Sequence, residues 1–188
     1  MKSMTKRLLA ALLAVAALFA LAGCSKSNKA DAAPKNYTQI IHDAREAEDN
    51  DYYMIFSPAE DGKFTAQYGY SDSYDAAQLD EEIRNMLLPL LNLEEDMYTD
   101  FAASVSGMMV QSYGIAIVKP AEGKQQAVSE ALDAYVQSQM QSMEHYLEDQ
   151  YQIAASSHIS TAPTGEVILV CCENPEAVMN AIKTALAA

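Results

Sequence analysis

The stretch Tyr113-Gly-Ile-Ala-Ile-Val-Lys119 decides how the rest of this chain folds. Successive side chains of a strand point to opposite faces, and here both sets are apolar, Ile115 and Ile117 on one side and Ala116 and Val118 on the other. Such a strand belongs in the middle of a sheet. Its partner is Phe101-Ala-Ala-Ser-Val-Ser106, a short segment upstream. Downstream, Lys119-Pro-Ala-Glu-Gly123 ends the strand, and the longest helix is predicted from about Lys124 to Glu148. At 1.5 Å per residue it would run about 37 Å. Its apolar stripe is Val128, Leu132, Val136, Met140, Met143 and Leu147, with Glu130, Asp133, Gln137 and Gln141 mostly opposite. Met140 and Met143 are expected against the sheet beside Ile115 and Ile117.

Two further hairpins flank this centre. Tyr52-Tyr-Met-Ile-Phe-Ser57 and Lys63-Phe-Thr-Ala-Gln-Tyr-Gly-Tyr70 read as strands joined by Pro58-Ala-Glu-Asp-Gly62. Tyr151-Gln-Ile-Ala-Ala-Ser-Ser-His-Ile-Ser160 and Glu166-Val-Ile-Leu-Val-Cys-Cys172 pair about Pro163-Thr-Gly165. A first helix starts at the capping box Asn36–Gln39, carries Ile40, Ile41 and Ala44, and ends in the acidic run Glu46–Asp51, read as a solvated turn. That run lacks the alternating oxygen ligands and central Gly of a calcium loop. Another helix is capped by Asp75 and Gln78, carries Leu79, Ile83, Leu87 and Leu90, and is kinked or ended by Pro89. Asn174-Pro175 starts the last one, with Val178, Ile182 and Leu186 inward. One helix, then hairpin plus helix three times, predicts an α+β domain: an antiparallel sheet built from hairpins, with amphipathic helices packed mainly on one face.

The chain also carries an address. Lys2, Lys6 and Arg7 precede an unbroken apolar run, Leu8–Ala22, of small residues and leucines. This is the layout of an export signal, and the run is shorter than the roughly 20 residues of a spanning helix. Leu21-Ala-Gly-Cys24 resembles the lipobox of bacterial lipoproteins, in which the cysteine thiol takes a diacylglycerol and becomes the new N-terminus. The resemblance implies a signal peptide over 1–23, lipidation at Cys24 and an anchor on the extracytoplasmic face of the cell membrane. Residues 24–36 contain no Val, Ile, Leu or aromatic side chain and read as a flexible tether; residues 37–188 form the single α+β domain.

Beyond the signal, nine Lys and Arg face all 26 acidic residues, a net charge near −17. That balance repels nucleic acid and anionic headgroups, so nucleic acid is excluded as a partner. Cys171 and Cys172 are adjacent, closer along the chain than an ordinary bridge prefers, and in a strand they face opposite ways. They read as two small buried hydrophobes.

No phosphate loop, nucleophile elbow or zinc-protease motif is present. Among the three histidines, His42 and His158 stand alone, and His145 is near Met140 and Met143, a soft-donor set that a packing stripe also explains. The domain is therefore expected to have no catalytic residues, cofactor or metal. Tyr52, Tyr53, Tyr68, Tyr70 and Tyr74 gather at the first hairpin, with Tyr68 and Tyr70 on one strand face, where they could stack on a sugar.

Tyr113–Lys124, Tyr146-Leu-Glu-Asp-Gln-Tyr151 and Gly165-Glu-Val-Ile-Leu-Val170 together resemble the bacterial lipoprotein family known as domain-of-unknown-function family 4358. The likeness is best from about Phe101 onward. That family often has Pro where Glu148 stands, so the break after the long helix is expected to be softer here. What the resemblance implies is an envelope lipoprotein; it carries packing and turn patterns and no catalytic constellation. The expected function is non-enzymatic binding of a protein or other envelope component, its ligand unidentified, with a glycan- or small-ligand-binding lipoprotein as the alternative and an envelope enzyme after that.

Overall fold

The computed structural model describes residues 35–188; the expected signal peptide, Cys24 and the tether as far as residue 34 lie outside the described residues. Six strands form one antiparallel sheet in the order β2-β1-β3-β4-β6-β5. They are β1 (Ile55–Pro58), β2 (Phe64–Gln67), β3 (Tyr98–Val105), β4 (Gly114–Pro120), β5 (His158–Thr161) and β6 (Val167–Cys171). The three expected hairpins are all present, and β4 lies inside the sheet, with Ala116 opposite Ala103 of β3 and Leu169 of β6. The antiparallel α+β fold is as the hairpin pattern predicts.

The helices are α1 (Tyr37–Ala44), α2 (Ala47–Tyr52), α3 (Ala76–Glu82), α4 (Gln125–Met143), α5 (Glu148–Ala155) and α6 (Pro175–Ala187). They divide between the two faces instead of gathering mainly on one. Phe101, Ala103, Ala116, Val118, Val167 and Leu169 share a core with Leu79 of α3, Ile83 just after it, and Leu132 and Tyr135 of α4. The alternate residues, Ala102, Ile115, Ile117, Ile168 and Val170, pack with Tyr37 and Ile41 of α1 and Val178 and Ile182 of α6. Cys171 and Cys172 fall in opposite cores, both free and buried, as alternation along a strand requires.

This division corrects the expected packing of α4. Ile115 and Ile117 face α1 and α6, so Met140 meets the opposite core, under Ala116 and Val118. Tyr135, outside the expected stripe, is the larger contact: its hydroxyl donates to the Tyr113 carbonyl at 2.7 Å, and its ring lies over Gly114. A Cβ at Gly114 would stand 2.7 Å from that hydroxyl, so only glycine admits the ring.

Three local expectations also change. The acidic run forms the short helix α2, its first turn carrying Glu48 and Asp49, where carboxylates complement the N-terminal dipole. The long helix stops at Met143, because His145 adopts φ 66° and a new helix begins at Glu148. The break is sharp, and position 148 is the first residue of α5, where a proline is also well accommodated. Residues 151–155 are therefore helical and β5 is short; Ala154 is buried and Ile153 leans on the core, which the apolar run expressed equally well in either period. Pro89 does what was expected of it: α3 passes through a π turn (Ile83–Leu87) and a 3-10 turn (Leu88–Leu91), then ends at left-handed Asn92.

At one end of the sheet, Lys35 Nζ donates to the Leu186 carbonyl, Asn36 Oδ1 caps α1 through the Gln39 amide at 3.1 Å, and Tyr37 donates to Glu166 Oε1 at 3.0 Å. Burial alone would raise the Glu166 carboxyl, but the bonds from Thr164, its own amide and Tyr37, with Lys35 nearby, outweigh it and hold the group below the usual range. A depressed folded value means that the charge of Glu166 stabilises the fold above the ordinary carboxylate range, and that this stability is lost as pH falls through the folded value. Thermal melts between neutral and acid pH should show a shallower acid-side decline for Glu166→Gln than for the wild type. In urea titrations, Leu132→Ala should cost about 2–5 kcal/mol, and Gly114→Ala about 1–3 kcal/mol by forcing Tyr135 out of place.

Candidate functional site

The opposite end of the sheet is built around a buried cation. Arg45, just after α1, is 6% exposed. Its guanidinium donates to Ser104 Oγ (2.8 Å), the Tyr113 hydroxyl (3.1 Å), the Tyr53 carbonyl (2.7 Å) and Asn50 Oδ1 (2.7 Å). Ser104 in turn donates to the Met54 carbonyl at 2.8 Å, and the rings of Tyr53 and Tyr113 stack 3.8 Å apart. All four guanidinium partners are neutral, so the charge is solvated by fixed dipoles, and α1, α2, β1, β3 and β4 are tied at one point. Burial raises the Tyr53 phenol to about 12 and pushes that of Tyr113 higher still, so both remain hydroxyls at any physiological pH.

Against this end lies an apolar groove of about 890 Å³. Its walls include Tyr52, Tyr70, Met86, Met108 and Met109. Seven large hydrophobic side chains are exposed among the described residues, and these are five of them; Met109 is 87% and Tyr52 70% exposed. Single exposed apolar residues are ordinary, but five of them gathered along one groove make a contiguous apolar patch, which makes it the candidate site. Met108, Met109 and Val110 sit in the β3–β4 loop, whose neck is closed by Ser106 N donating to the Tyr113 carbonyl. Met86 owes its place to the π turn. It is seven residues from buried Leu79 and would share its face in a regular helix, whereas the underwound turn moves it outward and leaves Ile83 and Leu87 inside.

Tyr53 and Gln111 form a wall shared by the groove and a smaller pocket of about 180 Å³. That pocket is lined by Glu46, Glu48, Asp49 and Glu173 beside Ser112 and Tyr113. Burial raises the Asp49 carboxyl, with Arg45 pulling the other way.

Of the residues singled out in the sequence, Cys24 lies outside the described residues. Tyr68 and Tyr70 do not share a strand face: β2 ends at Gln67, Tyr68 turns left-handed at φ 66°, and Tyr70 belongs to the next turn. The Tyr68 ring stacks on His42 at 4.2 Å, while Tyr70 joins the groove. His145 is 90% exposed at the α4–α5 turn and Met143 is buried, so that soft-donor set is not assembled. His158 is exposed at the start of β5. Among the described residues, no group of three or more His, Cys, Asp or Glu is gathered to hold a metal ion, and no helix is long and apolar enough to cross a membrane. Burial raises both remaining thiols, Cys172 to about 11, which keeps them protonated. The groove itself went unnoticed in the sequence, though Gly107-Met-Met-Val-Gln-Ser112 signals it: apolar residues stand in a hairpin loop where polar ones are usual.

The arrangement defines an α+β domain with an exposed apolar groove at one end of its sheet. The chain belongs to the family described as Domain of unknown function (DUF4358), whose model matches residues 71–172. The match begins before Phe101 and takes in α3, β3 to β6, the methionine-bearing loop and α4, but not α1, β1, β2 or α6. No curated protein and no solved structure matches the chain.

Because several groups would lose a charged donor at once, Arg45→Ala should cost about 3 kcal/mol or more in chemical denaturation, a charge-assisted bond being worth roughly 1.5–3 kcal/mol. Replacing both Met108 and Met109 by Ser should leave stability within about 0.5 kcal/mol, as for exposed positions generally, while lowering the binding of an apolar fluorescent dye.

Proposed function

We propose that this protein is a lipid-anchored envelope module that works by contact rather than catalysis, with the methionine- and tyrosine-lined groove as its contact surface. The observation that carries the reading is the gathering of exposed apolar side chains at one end of the domain. Methionine suits the role because its unbranched, polarizable side chain adapts to the shape of a partner. The anchor reading adds to this. A diacylglycerol on Cys24 would hold the chain at the bilayer, and Lys35, the first described residue, lies at the end of the sheet opposite the groove, which leaves the groove clear of the point where the chain enters. The anchored domain would thereby be kept within reach of a protein of the envelope. Tethering raises local concentration, so a modest intrinsic affinity suffices.

Photo-cross-linkers placed at Met109 and, as a control, at Glu60 in the β1–β2 loop would test this in intact cells. A reproducible protein adduct is expected from position 109 only, and it should vanish when Met86 and Met108 are changed to Ser. Cys24→Ala should leave unprocessed or released protein and lose the adduct. Equal labelling from both positions, or membrane retention of the Cys24→Ala protein at the mature size, would overturn the reading.

A further inference from the structure

We infer that the groove and its neighbouring pocket read one ligand together: an apolar protein segment bearing a basic side chain, whose cation enters the acidic pocket. This rests on the groove being a contact surface and names what occupies it. The two cavities are not independent, since Tyr53 and Gln111 line both. A segment lying along Met86, Met108 and Tyr52 therefore passes the mouth of the pocket.

The pocket's chemistry specifies a cation. Glu46, Glu48, Asp49 and Glu173 converge on it, and none of them is in an ion pair among the described residues. Arg45 does not line the pocket, and its guanidinium makes four hydrogen bonds, all to neutral partners. A second group points the same way. Ser112 is 2% exposed and lines the pocket; its amide is bonded to Gln150 Oε1 at 2.9 Å, yet its Oγ has no partner among the described residues. A buried hydroxyl without a partner costs stability unless a ligand or water completes it. It adds an acceptor to the carboxylates around any ammonium or guanidinium that enters. The groove rim has the same sign, with Glu82 among its walls, so a basic segment is attracted along the whole path and an acidic one is repelled. Apolar contact supplies affinity and the pocket supplies selectivity.

The test uses the full chain in phosphatidylcholine nanodiscs, with empty discs as the control for lipid binding. Fluorescent peptides of Leu, Phe, Ala and Ser carry a single Lys, Gln or Glu at each position in turn. At low salt, the best Lys peptide should bind about tenfold more tightly than its Gln counterpart, and the Glu peptide least of all. Asp49→Asn combined with Glu173→Gln should erase the Lys advantage and leave the Gln peptide unchanged. Met108→Ser with Met109→Ser should weaken every peptide. Equal binding of Lys and Gln peptides, or a Lys advantage that survives the amide variant, overturns the cation pocket while leaving the groove standing. Failure of every peptide to bind overturns the groove reading and this inference with it. Circular dichroism of each variant confirms that the fold is intact.

Discussion

β4 has no face that could meet water. Ile115 and Ile117 on one side and Ala116 and Val118 on the other are all fully buried, and a strand in that position must be covered twice. The rest of the architecture satisfies that demand. β3 and β6 pair with its two edges; α3 and α4 roof one side, and α1 and α6 the other. The small side chains at Ala102, Ala103 and Ala116 let the layers come close, and Gly114 admits the Tyr135 ring where the strand begins.

The two ends of this sheet are finished differently, and the proposed function rests on the difference. Near Lys35 the closure is compact: Tyr37, Thr164 and Glu166 satisfy one another, and the chain enters there. At the other end, polar closure is concentrated in Arg45. A buried guanidinium with neutral partners is expensive to desolvate, so it favours the one arrangement in which Ser104, Tyr113, Tyr53 and Asn50 all accept from it. That arrangement fixes Tyr113, the end of α2 and Tyr53, which lines both groove and pocket. The groove therefore has a hydrogen-bonded base at Arg45, while the methionines projecting from its walls are adaptable. A rigid base with soft contacts limits the entropy lost on binding and still allows the surface to fit its partner.

Much of this was legible locally. Alternation marked the strands, the Asp75–Gln78 box began α3 with both of its hydrogen bonds, and the stripe of α4 named Val128, Leu132 and Val136 as core. The apolar character of both faces of Tyr113–Lys119 places the strand inside the sheet and equally requires cover on both sides. Short segments were less clear. Residues 151–155 satisfy a strand or a helix pattern equally, and their helical state is decided by packing against α4. Even the acidic Glu148 and Asp149, which suit a helix start, only become a signal once the left-handed turn at His145 frees them to begin one.

The sequence by itself determined the three hairpins, the starts of the helices at Asn36, Asp75, Lys124 and Asn174, and the opposite burial of Cys171 and Cys172, because each depends on residues close along the chain. Only the tertiary structure decided the site. Tyr52, Tyr70, Met86 and Met108 come from four separate segments, and no period or spacing relates them. Their convergence is set by how hairpins are laid side by side and by a π turn that rotates one side chain outward. A groove of this kind has no local energy to leave a mark in sequence; it exists only where non-local packing stops.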